Sequence, residues 1–195
     1  MGANFKGGDK LAAKLREIAE KAGKANTVRV GFLEDATYPN GMHVAQVAAT
    51  NEYGGTITVP EHEVALNRQV KKTGEFAKNG RFVKESEANF QTIHHVDEYT
   101  VTIPARPFFR GMIQDHKGEW GTDLGKIIKD ADYDSALALG RLGKHVGDQL
   151  QESIREFNDP PNAKSTVQNK GFDKPLISSS VMLNSVDFEV NDNGD

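Results

Sequence analysis

The 195-residue sequence predicts an α+β fold, in which a small, mostly antiparallel sheet packs with helices. Several short segments alternate apolar and polar residues, which is the period of a strand with one buried face. Residues 135–157 place apolar side chains three and four apart, as a long amphipathic helix does. Between these patterns, Tyr99–Arg110 passes from strand to helix. We expect a single domain over 1–195.

The strand-to-helix corner is the segment that we expect to fix how sheet and helices pack. Alternation over Tyr99–Ile103 indicates a strand, and Pro104 should end it because proline donates no ladder hydrogen bond. Pro107 has a φ suited to the first turn of a helix, and Phe108 and Met112 follow at helical spacing.

Composition limits the classes of function. The net charge is −4, so no global basic field attracts nucleic acid. The absence of cysteine excludes disulfides and thiolate zinc sites and suits a reducing cytoplasm. No apolar run reaches membrane-spanning length, and Met1–Lys6 lacks the apolar core of a signal peptide. We therefore expect a soluble chain that is used without secretion.

The N-terminal third predicts a helix, a strand and a second helix. Asp9 is placed to cap the first helix, which should stop at Gly23. Alternation over 28–32 predicts a strand, and the segment 33–42 reads as a loop. A second helix should begin at His43 and end at Asn51–Gly55, where a glycine can adopt the left-handed cap.

The central part predicts an extended β-hairpin arm over about 61–98. Strand character resumes at Thr56–Pro60, and a matching return runs from Phe90 to Ile103. The polar segment Lys71–Asn89 lies between them, and so long a structureless loop is unusual in a compact domain. Since a two-stranded ribbon is only marginally stable alone, we expect the arm to lie against a partner.

The C-terminal half predicts mostly helices. Two helical pieces, 108–115 and 120–129, should meet at a join weakened by Gly118 and Gly121. Asp134 should cap the longest helix, 135–157. Its interior contains Gly140, Gly143 and Gly147, each costing roughly 1 kcal/mol relative to alanine. Close approach of another helix, from this chain or a second copy, would offset that cost.

The last part reads as a loop, a short turn and a strand. Residues 158–174 are polar and turn-rich, which predicts an exposed loop. Ser178–Ser180 should cap a turn that contains Met182. Alternation over Val186–Val190 predicts a final strand, and 191–195 should form a flexible acidic end.

Three groups of residues are candidates for a metal site, a catalytic nucleophile or a binding surface. Glu61–Glu63 faces His94–His95 and Asp97–Glu98 across the predicted hairpin, but adjacent strand residues point to opposite faces, so convergence of three metal ligands is not expected. No serine lies in a Gly-x-Ser-x-Gly elbow. The loop from Lys71 to Lys84 interleaves cations with Phe76 and Phe82, yet its glutamates favour a protein-docking surface. We expect no enzyme activity, catalytic residue, cofactor or metal.

Three stretches carry a resemblance to a known family: Ala49–Ile57, Ile103–Arg110, and Asn169–Ile177 followed by Met182–Val186. In order and spacing they resemble the tail-completion or neck proteins of tailed bacteriophages, a group that includes virion-morphogenesis and minor tail proteins. Family members often carry Asp-Thr-Gly where this chain has Ser178–Ser180. The resemblance implies a non-catalytic α+β subunit that forms a ring between the connector and the tail.

The partners that the resemblance implies are further copies of the chain, connector or adaptor proteins, and tail terminator or tail tube proteins. A hexameric ring matches the symmetry of a tail, with a dodecamer as the alternative; DNA would pass through the lumen without specific binding, and no membrane is involved. The protein would be assembled in the host cytoplasm and reside in the virion neck. Two alternatives stay open, a metal-dependent hydrolase using His62 and His94, and a nucleic-acid-contacting module. The predicted subunit or partner contacts are Glu52, Tyr53, Lys71, Lys72, Phe76, Arg81, Phe82, Arg106, Phe109, Arg110, Gly140, Gly143 and Gly147.

Overall fold

A computed structural model of the chain describes residues 8–25 and 27–191. Within those residues it contains six α-helices and six β-strands, so the α+β prediction is confirmed. Their bounds in chain order are α1 Gly8–Ala22, β1 Thr27–Phe32, α2 Val44–Tyr53, β2 Gly55–Val59, β3 His62–Arg68, β4 Phe90–Val96, β5 Tyr99–Ile103, α3 Phe108–Asp130, α4 Ser135–Glu156, α5 Lys164–Lys170, α6 Val181–Asn184 and β6 Val186–Asn191.

The strands form three separate antiparallel pairs, β1–β6, β2–β5 and β3–β4. The chain divides into two compact units, which we call the arm unit (55–103) and the core unit (the described residues up to 54 and from 104 onward). The predicted hairpin is present, and its ladders extend beyond 61–98 to Gly55 and Ile103.

The core unit is built around α4. Phe108, Leu150, Ile154 and Val44 are its largest fully buried side chains. At the start of α4, the Asp134 carboxylate accepts a hydrogen bond from the Leu137 amide at 3.1 Å, as the sequence predicts. The side of α4 that carries its glycines faces the β1–β6 pair, in which Val30 pairs with Phe188.

The prediction of two helical pieces after the corner is wrong. Residues 108–130 form one helix of 23 residues, one longer than α4. Gly118 and Gly121 do not interrupt it, because α3 packs along α4 and the Trp120 indole donates to the Gln149 side chain at 2.8 Å. Tertiary packing outweighs a helix-propensity cost of about 1 kcal/mol per glycine.

The prediction that another helix packs against the glycines of α4 is also wrong. Gly140, Gly143 and Gly147 are approached by side chains of β1 and β6 of the same chain, not by another helix. A Cβ atom added at Gly143 would lie 2.7 Å from Phe188 and from Val28, so this position has no room for a side chain.

Smaller corrections concern helix ends and the last loop. Asp9 lies inside the first turn of α1 and not before it, and Pro107 is the N-cap of α3 and not its first residue. The segment 158–174 contains α5, whose end is marked by Gly171 in the left-handed conformation. Ser180 precedes α6 with φ of 60°, but its side chain makes no capping hydrogen bond. Residues 192–195 of the predicted acidic end lie outside the described part of the chain.

The C-terminal end of helix α1 is attached to the rest of the core unit. Lys21 Nζ lies 2.5 Å from Asp132 and Lys24 Nζ lies 2.6 Å from Asp134, while the Ala25 amide donates to the Ser135 hydroxyl at 2.9 Å. The hydrogen bond from Lys21 and the positive charge of Lys14 lower the pKa of Asp132 below its ordinary value. None of the helix's described residues is buried.

We expect Asp132→Asn to loosen α1 without unfolding the core unit. The pKa of Asp132 is depressed in the folded state, so its contribution is present above the ordinary value of 3.8 and is lost as the pH falls further. Hydrogen exchange at neutral pH should show amide protection in α1 reduced by less than about tenfold, because exposed ion pairs are weak. Asp148→Asn, which removes an exposed pair with Lys144 on α4, should leave α1 protection unchanged.

Candidate functional site

The residues that the sequence singles out fall into three places: the glycines of α4 described above, the corner between α2 and α3, and the arm unit. At the corner, the Glu52 carboxylate accepts hydrogen bonds from the backbone amides of Phe109 at 2.9 Å and Arg110 at 3.1 Å. It also accepts from Arg110 Nε at 2.7 Å. Glu52 is only 5% exposed. A carboxylate in this position satisfies two free amides of the first turn of α3 and complements the helix dipole.

Arg106 makes a second connection at the same corner. Its backbone amide donates to the Asn51 carbonyl at 2.7 Å, and its guanidinium donates to the Asn51 side chain at 3.1 Å and to the Pro160 carbonyl at 3.5 Å. Burial lowers the pKa of Arg106. The corner therefore joins three segments that are far apart in sequence, α2, the start of α3 and the loop after α4.

Tyr53 and Arg110 lie on the exposed side of the corner. The Arg110 guanidinium lies over the Tyr53 ring, 4.8 Å from its centroid, and Tyr53 is 66% exposed. Phe109 is half-buried against the core cluster. Glu52 and Arg106, two of the predicted partner contacts, are thus committed to contacts within the chain, whereas Tyr53 and Arg110 are accessible.

The arm unit folds its central segment back onto the β3–β4 ladder. Arg68 lies between two aromatic rings, with its guanidinium 5.2 Å from the centroids of both Phe76 and Phe82. The Asn89 side chain accepts from the Val70 amide and donates to the Val70 carbonyl, each at 2.7 Å. Residues 69–89 also contain two short 3₁₀ turns, Ala77–Gly80 and Glu85–Glu87. The segment is ordered by its own contacts.

Cations of this segment divide into paired and unpaired ones. Lys71 lies 3.7 Å from Glu75, and Lys78 lies 2.6 Å from Glu87. The other three cations of the segment form no ion pair with any described residue; they are Lys72, Arg81 and Lys84. All five predicted contacts in this segment are exposed: Lys71, Lys72, Phe76, Arg81 and Phe82.

Two of the three histidines of the arm unit, His62 and His94, lie two positions apart across the ladder. His62 pairs with Val96, and His94 pairs with Val64, which puts both histidines on one face of the ribbon. His62 Nδ1 lies 2.9 Å from the Pro60 carbonyl, and His94 Nε2 lies 2.9 Å from the Thr92 hydroxyl. In the part of the chain that the structure describes, no group of three or more histidine, aspartate or glutamate side chains is arranged to hold a metal.

Sequence reasoning missed Arg68, Asn51 and Asn89. Each makes contacts 14 to 55 residues away in the chain, and no local periodicity indicates such a contact. The only sequence signal was the presence of Asn51 beside Glu52 in the first stretch of the resemblance.

Comparisons with models of known protein families, with curated proteins and with solved structures gave no match. Among the helices of the described residues, none combines the length and apolar character needed to cross a membrane.

Proposed function

We propose that this chain is a structural protein of the neck of a tailed bacteriophage, in which copies form a ring that completes the head-proximal end of the tail and joins it to the head. The observation that carries the proposal is the arm unit. Its two ladders are only two strands wide, and a ribbon of this kind is marginal without a covering surface. Exposed apolar side chains lie along it, including Ile57, Phe82 and Ile93.

The family resemblance gives the second support. Its first two stretches, Ala49–Ile57 and Ile103–Arg110, supply Asn51, Glu52, Arg106 and Arg110 to one hydrogen-bonded corner. The two stretches flank the arm unit, and the Gly55–Ile103 pair brings them side by side. Their hydrogen bonds make the first two stretches of the resemblance one structural unit, and this is the support that they give to the proposal.

A ring of identical subunits needs a heterologous contact that closes by rotation. The arm unit offers surfaces for such a contact, and the exposed Tyr53–Arg110 pair offers another in the core unit. A ring subunit of this kind needs a surface that fits its neighbour and does not need a catalytic group.

We expect native mass measurement and imaging of assembled necks to show a closed ring, with six copies favoured over twelve. The subunit contact can be weak in the isolated protein, so the measurement is made on both the purified chain and intact particles. A strict monomer in both settings would contradict the proposal, as would stoichiometric retained metal with hydrolytic turnover.

A further inference from the structure

The charges of the arm unit are separated along its length. Residues 68–89, which we call the arm tip, contain six cations and three anions. The anions are Glu75, Glu85 and Glu87, and the cations are Arg68, Lys71, Lys72, Lys78, Arg81 and Lys84. The arm base, defined as residues 60–63 and 96–98, contains four anions and no lysine or arginine; they are Glu61, Glu63, Asp97 and Glu98.

The β3–β4 ladder separates the two charged ends. It runs from the His62–Val96 pair at the base to the Arg68–Phe90 pair at the tip. At about 3.3 Å per residue, this places the ends about 20 Å apart. That distance exceeds the Debye length at physiological salt, about 8 Å, so tip and base do not neutralise each other within one copy.

Both ends have charges left for a partner, and exposed apolar side chains lie at the tip and on the ladder between the two ends. Lys72, Arg81 and Lys84 at the tip form no ion pair within the described residues, and neither do Glu63 and Glu98 at the base. Phe82 beside the tip cations is 59% exposed, and Ile93 on the ladder is 68% exposed. A contact that covers these rings and side chains would bury apolar area between complementary charges.

We propose that the arm tip of one copy binds the arm base of the next copy, head to tail. The inference rests on the proposed ring and names its subunit contact. A symmetric tip-to-tip or base-to-base contact would bring like charges together, which disfavours it. When the tip of each copy contacts the base of one neighbour and its own base contacts the tip of the other neighbour, the contact is heterologous and the series can close into a ring. A two-fold antiparallel pair of arms would instead stop at a dimer.

The cysteine-free sequence permits a direct crosslinking test in the full-length chain. Thr73→Cys places a thiol at the exposed tip, and His62→Cys places one at the base, with every arm charge retained. Mixing the two variants with a bismaleimide shorter than the tip-to-base distance should yield heterodimers at least several-fold above the homodimers of either variant alone. A chain carrying both substitutions should give a ladder of oligomers.

Charge reversal makes the test specific. Adding Lys72→Glu, Arg81→Glu and Lys84→Glu to the tip variant reverses the net charge of the tip and should abolish the heterodimer. Adding Glu61→Lys, Glu63→Lys and Glu98→Lys to the base variant makes the base net positive, and combining the two reversed variants should restore the heterodimer. Arg141→Cys, on the exposed side of α4, replaces the base thiol as the matched control and should give no enrichment.

The outcomes separate this inference from the proposed function. Rings observed by mass measurement without tip-to-base crosslinks would overturn the inference and leave the ring intact. Monomers in solution and in particles, with no crosslink, would overturn both. Absence of the heterodimer together with salt-sensitive binding of duplex DNA that the tip reversals remove would assign the tip to nucleic acid and would also overturn the inference.

Discussion

Replacing Glu52 by alanine should lower the free energy of unfolding of the core unit by about 2–4 kcal/mol. The carboxylate is 5% exposed and accepts from two backbone amides and from Arg110. Removing it leaves two amides of the first turn of α3 without an acceptor, and hydrogen bonds to a charged group contribute about 1.5–3 kcal/mol. Loss of the favourable charge at the helix N-terminus adds to this. Since the Arg110 side chain is 54% exposed, water recovers part of its interaction.

Urea unfolding of the full-length chain, followed by far-ultraviolet circular dichroism and tryptophan fluorescence, measures this effect. Trp120 lies in α3, so its fluorescence reports the core unit. Glu52→Gln keeps the size of the side chain and one acceptor oxygen, and its loss should fall between wild type and Glu52→Ala. As a matched control, Glu152→Ala removes a glutamate from the surface of α4 that pairs with Arg155, and it should change stability by less than about 0.5 kcal/mol. A loss below about 1 kcal/mol for Glu52→Ala would show that the corner is not held by this carboxylate.

The sequence placed the corner correctly, but the hydrogen-bond partners of its polar residues could not be predicted from it. The local pattern is informative because proline and alternation act over a few residues. β5 spans the predicted Tyr99–Ile103, and α3 begins at the predicted Phe108. Glu52 and Arg106 are among the predicted partner contacts, and both are buried and hydrogen-bonded within the core unit. Their hydrogen bonds span up to 58 residues, and a single sequence does not show which distant backbone amides a carboxylate will meet.

In the arm unit, too, contacts between residues that are distant in sequence could not be predicted. Alternation predicted strands on both sides of a polar segment. The register of β2–β5 places Ile57 opposite Val101, whereas the register of β3–β4 places Val64 opposite His94 and does not follow from pairing apolar faces. The order of residues 69–89 could not be predicted, because it depends on the Arg68 guanidinium between Phe76 and Phe82 and on the Asn89 side chain pairing with Val70. These contacts have no fixed spacing in sequence.

Alanine substitution of two glycines in α4, Gly140 and Gly143, should change the stability of the core unit in opposite directions. Gly143→Ala should destabilise the core unit by about 1–3 kcal/mol, because its Cβ atom would lie 2.7 Å from Phe188 and from Val28. Gly140→Ala should stabilise the unit by up to about 1 kcal/mol, because its Cβ atom would lie at an ordinary contact distance of 3.9 Å from Phe188 and alanine favours helix.

The paired measurement separates packing from helix propensity. Both substitutions occur in one helix and add one methyl group, so their propensity gains are nearly equal and cancel in the difference between the two variants. Phe188 and Val28 are held in the β1–β6 ladder, and a ring and a β-branched side chain have few alternative rotamers with which to yield. Thermal unfolding should therefore place Gly143→Ala below wild type and Gly140→Ala above it. Equal shifts for both variants would mean that β6 moves away from α4 at little cost, and the close contact at Gly143 would then not be what positions the β1–β6 pair.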